Sequence, residues 1–433
     1  MLADARPGHP LEFFIECGVV GRLDEGRFRA AVAAAATRHP LLRSRVGRVR
    51  SGPVWLPPDR RPEVEWHPGP TDRDPWRAID ITRESGCRVV VLAAPSAGST
   101  PGGHRVVLVV QHACCDGIAA LEYLGDIWAA YAGLDPPSLT TADRPAAAVT
   151  APASAPADPL APSVVPAAPW RQALAFASFR PTPLARDTTT AAAAAPAAAT
   201  LPPYETIAFD RDEAERLRAA SVAMDASLND LLVAAAMRSI TRWNEHTRGR
   251  GGNIRITMPV SLRPPRQRLP ACNAISYAFI DRSAAAVRDP RALVASIKEA
   301  TRYILDTGAA RGFLDAVTGL SGLRGGLELV TRLPLCLSTA VVSNVGDASR
   351  RMRSGVPRSD GRDMPGDVVI DSVSGVPPLR PGTRLALGIV LYAGGFTISC
   401  LCSAHADPRI GARRFLAILR EELDDLARAA DAG

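Results

Sequence analysis

Two hydrophobic periods run along this chain. Short apolar runs rich in valine and isoleucine, bounded by turn formers, predict strands, while apolar positions three and four apart predict helices. Leu23-Asp24 opens a helix that Asp24 caps; it carries Phe28 and a series of alanines to Thr37 and stops at His39-Pro40, where proline removes a donor and restricts the residue before it. LLRSRV is then expected to continue as strand, and His39 reads as a helix-terminal histidine favoured by the helix dipole. CRVVVLA from Cys87 and RVVLVV from Arg105 predict adjacent strands joined through a turn over Gly98–Gly103. The second strand ends in Gln111-His112, and the residues after Gly117, IAALEYLGDIWAAY, have helical spacing, so His112 sits where strand becomes helix.

From Pro136 to Pro203 the pattern lapses into alanine, proline, threonine and serine, with periodicity only around Trp170–Phe179. Such a stretch buries too little apolar surface to order fully, so a partly disordered inter-lobe linker is expected. Regular patterning resumes with a strand over Tyr204–Asp210, a charged helix from Asp212 to Ala220, and a helix in SLNDLLVAAAMRSITRWN that Ser227 caps with Asp230 three positions on. Further strands are expected at Ile254–Val260, in NAISYAFID from Asn273, at Ser338–Gly346, at Asp367–Gly375, and in RLALGIVLY and FTISCLCSA. A helix capped at Asp289 with Pro290 in its first turn leads into an apolar segment up to Pro334, and an amphipathic helix from Pro408 to Ala430 closes the chain. Strand and helix alternate in both halves, which predicts an α/β protein of two lobes, residues 1–135 and 204–433, with the linker at 136–203.

At 433 residues and 47% hydrophobic content the chain can bury two or three sizeable cores. Its net charge of +7 is almost wholly arginine, Lys298 being the only lysine, and no arginine cluster interleaves with aromatic residues. Nucleic-acid binding is therefore not expected, and a mild attraction for anionic co-substrates is. The eight cysteines form no CxxC pair and no cysteine–histidine zinc spacing, so no metal centre is expected and they read as buried thiols in a reducing compartment. MLADARPGHP lacks the pattern of a leader, and no run of about 18 apolar residues follows, so the expected setting is cytoplasmic, without a transmembrane segment.

These features leave His112 as the residue with chemistry to offer. A neutral imidazole with an ordinary pKa of about 6.5 can take a proton from a hydroxyl or amine near neutral pH. A histidine in this setting can equally be a core residue satisfied by backbone. What distinguishes it is the four-residue step to Asp116-Gly117, which makes the motif HxxxDG. A cysteine nucleophile at Cys114 or Cys115 is the covalent alternative, but adjacency in sequence does not supply the geometry a Cys–His pair needs, and there is no GxSxG.

HxxxDG between a strand and a helix resembles the signature of the acyltransferase superfamily of chloramphenicol acetyltransferase and the condensation domains of nonribosomal peptide synthesis, which includes the alcohol acyltransferase and wax-ester-synthase branches. The resemblance implies a two-lobed fold, each lobe a mixed sheet flanked by helices, with the active-site tunnel between the lobes. His112 would be the general base for direct attack without a covalent intermediate, and Gly117 would keep the loop clear of the channel. Asp116 would have a structural role, paired with Arg263 of the PVSLR stretch Pro259–Arg263. Ser343 and Asn344 of SNVG would line the channel and serve the substrate or oxyanion, as would Asn273 of NAIS, where Cys272 replaces the family's glycine. Gln111 replaces the first histidine of the usual pair and would affect how the base is oriented; the DFGWG segment of the plant branch is missing. The segments NDLLVAAAMR and MPVSLRP lean toward the alcohol-acyltransferase branch.

The reaction implied is acyl transfer from acyl-CoA or an acyl carrier protein, with acyl-CoA or acyl-phosphopantetheine as co-substrate and no resident cofactor. The acceptor would be a hydroxyl or amine of a small molecule or lipid, and the protein a monomer. The alternatives are a condensation-type enzyme forming an amide between partners held on acyl or peptidyl carrier proteins, and a catalytically silent binding module.

Overall fold

A computed structural model describes residues 9–49, 52–67, 77–93, 103–140, 178–187, 203–264, 267–322 and 336–431. The first half contributes β1 (Glu12–Val20), α1 (Glu25–Ala36), β2 (Val46–Val49), β3 (Gly52–Trp55), β4 (Glu63–His67), β5 (Cys87–Ala93), β6 (His104–Gln111) and α2 (Gly117–Tyr131). The second half contributes β7 (Glu205–Phe209), α3 (Arg211–Ala223), α4 (Leu228–Arg248), β8 (Asn253–Ser261), β9 (Ile275–Ser283), α5 (Pro290–Thr307) and α6 (Ala309–Gly322). It continues with β10 (Ala340–Asp347), α7 (Ala348–Met352), β11 (Arg358–Ser359), β12 (Arg362–Asp363), β13 (Val369–Val376), β14 (Leu385–Tyr392), β15 (Gly395–Cys402) and α8 (Pro408–Asp431).

Two mixed sheets form the frame, a five-stranded one in the order β13-β1-β6-β5-β4 and a six-stranded one in the order β7-β15-β14-β10-β8-β9. The valine run of β6 is apolar on both sides because both sides are covered. Val106, Leu108 and Val110 face the core under α1 and α2, while Val107 and Val109 face the layer between the sheets with Val341, Ala386 and Leu401. Strand β1, which no local period announces, runs antiparallel to β6 with Glu12 opposite Gln111. On its other side it pairs with β13, so a strand from the second half of the sequence completes the first sheet.

The chain then passes to β14, in the interior of the second sheet, and the two sheets meet where β13 crosses β14. A Cβ on Gly388 would overlap the carbonyl oxygen of Gly375, so the crossing depends on glycine there.

Two local expectations change. LLRSRV does not continue as strand: Pro40–Arg43 is a 3₁₀ turn, with Leu42 N–H donating to His39 O at 3.0 Å, and strand geometry begins only at Val46. Of the linker, residues 141–177 and 188–202 lie outside the described residues, as does most of the Gly98–Gly103 turn, but both flanks are anchored. Ala185 N–H donates to Asn244 Oδ1 at 2.7 Å and its carbonyl accepts from Trp243 Nε1 at 2.9 Å, beside a fully buried Leu184. The Pro137 carbonyl accepts from Arg38 and Arg268.

All eight cysteines are free. Among the described residues no group of three His, Cys, Asp or Glu is placed to hold a metal. No single described helix is long and apolar enough to cross a membrane; α3 and α4 pass that test only as a pair bent by 94°.

Candidate active site

Strand β6 delivers His112 to the meeting point of the two sheets, and Asp116 begins α2 immediately beyond by accepting Ala119 N–H at 3.1 Å. The imidazole is buried, and its Nδ1 lies 3.1 Å from Asn273 Oδ1. The Asn273 Nδ2 group donates to the carbonyls of His112 at 2.7 Å and Ala113 at 3.0 Å. With its amide nitrogen engaged by two acceptors, Asn273 must turn its oxygen to the ring, so the ring's hydrogen sits on Nδ1 and Nε2 keeps its lone pair. His112 lines a narrow cavity with Phe13, Gly117, Ser343, Val345 and Pro377. Burial lowers the pKa of His112, and Arg380 lowers it further, against opposing contributions from its own backbone, Asp116 and Asn273.

The loop that holds the ring is stitched to the second half of the chain. Asp116 is 1% exposed, and its Oδ2 accepts from Arg263 Nη1 at 2.7 Å and from Ala274 N–H at 2.8 Å. Arg263 Nη2 donates to Cys272 O at 2.9 Å. Gly117 leaves room for Val345, whose Cγ1 would be 3.2 Å from any added Cβ. Gln111, expected to orient the base, touches the loop and not the ring: its Nε2 donates to Pro10 O at 3.0 Å and its Oε1 accepts Ala113 N–H at 2.6 Å.

Strand periodicity decides what faces the cavity. Ser343 and Val345 point into it, and the Ser343 hydroxyl has no hydrogen-bond partner among the described residues. Asn344 lies between them and points the other way. Its Nδ2 donates to Asn229 Oδ1 at 3.1 Å and its Oδ1 accepts Gly346 N–H at 2.9 Å, so it is not placed to serve a substrate oxyanion. Asn273 likewise spends both ends of its amide on His112 and its loop. The sequence reading overlooked Phe13, whose ring meets His112 edge-on at 5.1 Å, and Gly375–Pro378, the end of β13 and the prolines after it, which also line the cavity. An unrecognised strand carries the first, and the second lies at the end of a strand that was expected but had no signal tying it to His112.

Burial pushes the Cys114 and Cys115 thiols well up, so neither supplies a thiolate near neutral pH. The helix-dipole reading of His39 is also corrected. Its side chain is fully buried, with Nδ1 accepting Ala271 N–H at 2.9 Å and Nε2 3.1 Å from Asp126 Oδ2. Burial lowers its pKa, which keeps it neutral.

No protein-family model and no curated protein sequence matches this chain. Solved structures do. Polyketide synthase associated protein 5 from Mycobacterium tuberculosis is 18% identical, with a TM-score of 0.60 over 96% of this chain and 94% of its own. The first condensation domain of the calcium-dependent antibiotic synthetase, in complex with a substrate analogue, is 15% identical at a TM-score of 0.61, covering 99% and 93%. The trichothecene 15-O-acetyltransferase from Fusarium sporotrichioides is 13% identical at 0.64, covering 98% and 93%. The chain thus shares the two-lobed α/β fold of these condensation-domain and acetyltransferase structures, as expected from the sequence.

Proposed function

We propose that the protein is an acyltransferase that moves an acyl group from a thioester to a hydroxyl or amine, with His112 as general base and no covalent intermediate. The observation that carries this reading is the Asn273–His112 contact, which fixes the hydrogen on Nδ1 and leaves a neutral Nε2 available at the cavity between the sheets. In the proposed step His112 Nε2 takes the proton of the acceptor as its oxygen or nitrogen attacks the thioester carbonyl. The tetrahedral oxyanion collapses, the carbon–sulfur bond breaks, and the departing thiolate receives the proton from Nε2. The Ser343 hydroxyl, facing the cavity without a hydrogen-bond partner among the described residues, is the side chain we assign to the oxyanion.

The donor is an acyl-CoA or an acyl-phosphopantetheine on a carrier protein, acting as co-substrate, and the acceptor a small molecule or lipid. Condensation-type amide formation between carrier-bound partners uses the same base and is the second reading, favoured by the likeness to condensation domains. Eight free cysteines, six of them buried, fit a protein working in the reducing cytoplasm.

The test is thiol release from a panel of acyl-CoA and acyl-carrier thioesters, with and without alcohols and amines, by wild type and His112→Ala. Loss of the general base lowers turnover by about 10²–10⁴-fold. If both proteins are equally inert toward every donor, yet bind a carrier, the chain is a silent binding module.

A further inference from the structure

The tetrapeptide Ala271–Ala274 touches His112, Asp116 and Arg263 together. Ala274 N–H donates to Asp116, the Asn273 amide holds the His112 ring and its loop, and Cys272 O accepts from Arg263. Its first residue, Ala271, is held by His39, which lies far from it in sequence, beyond the end of α1.

His39 has both ring nitrogens committed. Because Nδ1 accepts Ala271 N–H, the ring's hydrogen is on Nε2 and is donated to Asp126 Oδ2. Asp126 is itself fully buried and fixed from the second half of the chain, its Oδ1 accepting from Arg268 Nη2 at 2.6 Å, while Arg38 Nε approaches Oδ2 at 3.3 Å. The Tyr123 ring meets the imidazole edge-on at 5.2 Å. His39 therefore resembles His112 in construction, with a side-chain partner on one nitrogen, but its other nitrogen is spent on the main chain two residues before Asn273.

We propose that His39 is a positioning residue: with Asp126, it fixes residues 271–274 so that Asn273 keeps the hydrogen of His112 on Nδ1. Ala271 is 1% exposed, so removing its acceptor leaves a buried N–H unsatisfied, and the segment relieves this by moving. Little movement is needed. The Asn273–His112 contact is 3.1 Å, and a separation of about 3.6 Å is no longer a hydrogen bond. The consequence for rate rests on the proposed role of His112 as base, but the consequence for its tautomer does not.

Nitrogen-15 ring shifts of His112 in the full chain, in wild type, His39→Gln and His39→Leu, test the tautomer. Turnover with whichever acyl-CoA donor the wild type accepts tests the rate. Glutamine can still accept from Ala271 and donate to Asp126, whereas leucine can do neither. Wild type and His39→Gln are expected to show the hydrogen on Nδ1, and His39→Leu a mixture of tautomers with kcat lowered about 10–100-fold and donor KM within about twofold.

A folded His39→Leu with the wild-type ring signature overturns the proposal, and so does a folded His39→Gln with mixed tautomers. If the leucine variant does not fold, the glutamine variant decides alone, an unchanged ring supporting the proposal and a mixed one refuting it. A chain inert toward every thioester still reports the tautomer, so failure of the acyltransferase reading is separable from failure of this one.

Discussion

Arg263→Met tests the brace between the two halves of the chain. It removes the 2.7 Å bond to Asp116 Oδ2 and the 2.9 Å bond to Cys272 O while keeping most of the side-chain volume. Asp116 then remains 1% exposed with only the N–H groups of Ala119 and Ala274 as donors. Stranding one partner of a buried pair costs about 3–5 kcal/mol, and the two retained donors place this case near the lower end, about 3 kcal/mol. At about 2–4 °C per kcal/mol the melting midpoint should fall by roughly 6–12 °C, toward the smaller figure for a long chain. Asp116→Asn should cost less, since Arg263 still donates to Cys272 and faces Glu122. The double variant removes both charges together and should recover about 2 kcal/mol against the sum of the singles. Urea unfolding of the four proteins measures this coupling. The buried-brace account fails if the singles lie within about 0.5 kcal/mol of wild type, as for an exposed pair, or if the double variant is simply additive.

Three further outcomes follow from the same contacts. Because burial and Arg380 hold the His112 pKa below that of an ordinary imidazole, kcat/KM should fall with acidification only through a midpoint below about 6.5, and Arg380→Ala should move that midpoint up. An acid limb above 6.5, or one that Arg380→Ala leaves in place, would count against it. Glu12 is buried with Oε1 2.6 Å from Ile79 N and its pKa raised to about 7. The folded state therefore holds that proton more tightly than the unfolded one, stability drops as pH rises from about 4.5 through 7, and Glu12→Gln should gain about 1–2 kcal/mol at pH 8 but little at pH 4.5 in thermal melts. Gly388→Ala, whose Cβ would overlap Gly375 O and lie 2.7 Å from Pro377 Cδ, should cost more than about 2 kcal/mol in urea unfolding; a melting curve like wild type would show that the sheets can part freely there.

Local signals carried the elements they could define. Ser227 and Asp230 form the reciprocal cap at the start of α4, and Asp289 with Pro290 starts α5. Strand β1 was not legible because Glu12, Glu16 and Gly18 break EFFIECGVV into no clear period. Its identity depends on β6 and β13, one on either side and far away in sequence. For β13 the strand could be read but not its sheet, since pairing with β1 rather than with the strands after it is a property of the folded chain. Residues 40–43 misled because a leucine pair after proline suits a 3₁₀ turn as well as a strand.

The site divides along the same line. HxxxDG lies within six residues and could be read directly, and period-two alternation already implied that Ser343 and Asn344 could not both face one cavity. Asn273, whose side chain gives His112 its tautomer, was named there for the substrate or oxyanion, and the groups that hold its segment in place could not be found in that way. Ala271, Cys272 and Ala274 act through an N–H, a carbonyl and an N–H, groups that nearly every residue type carries, so no pattern of side chains marks them. His39 posed the converse problem. A histidine before proline at a helix end looks the same whether a dipole or a buried aspartate holds it, and only Asp126 on one nitrogen and Ala271 on the other distinguish the two. A short motif can therefore nominate the base, while the protonation state on which its chemistry depends is set by a distant asparagine, held by main-chain geometry that the motif does not encode.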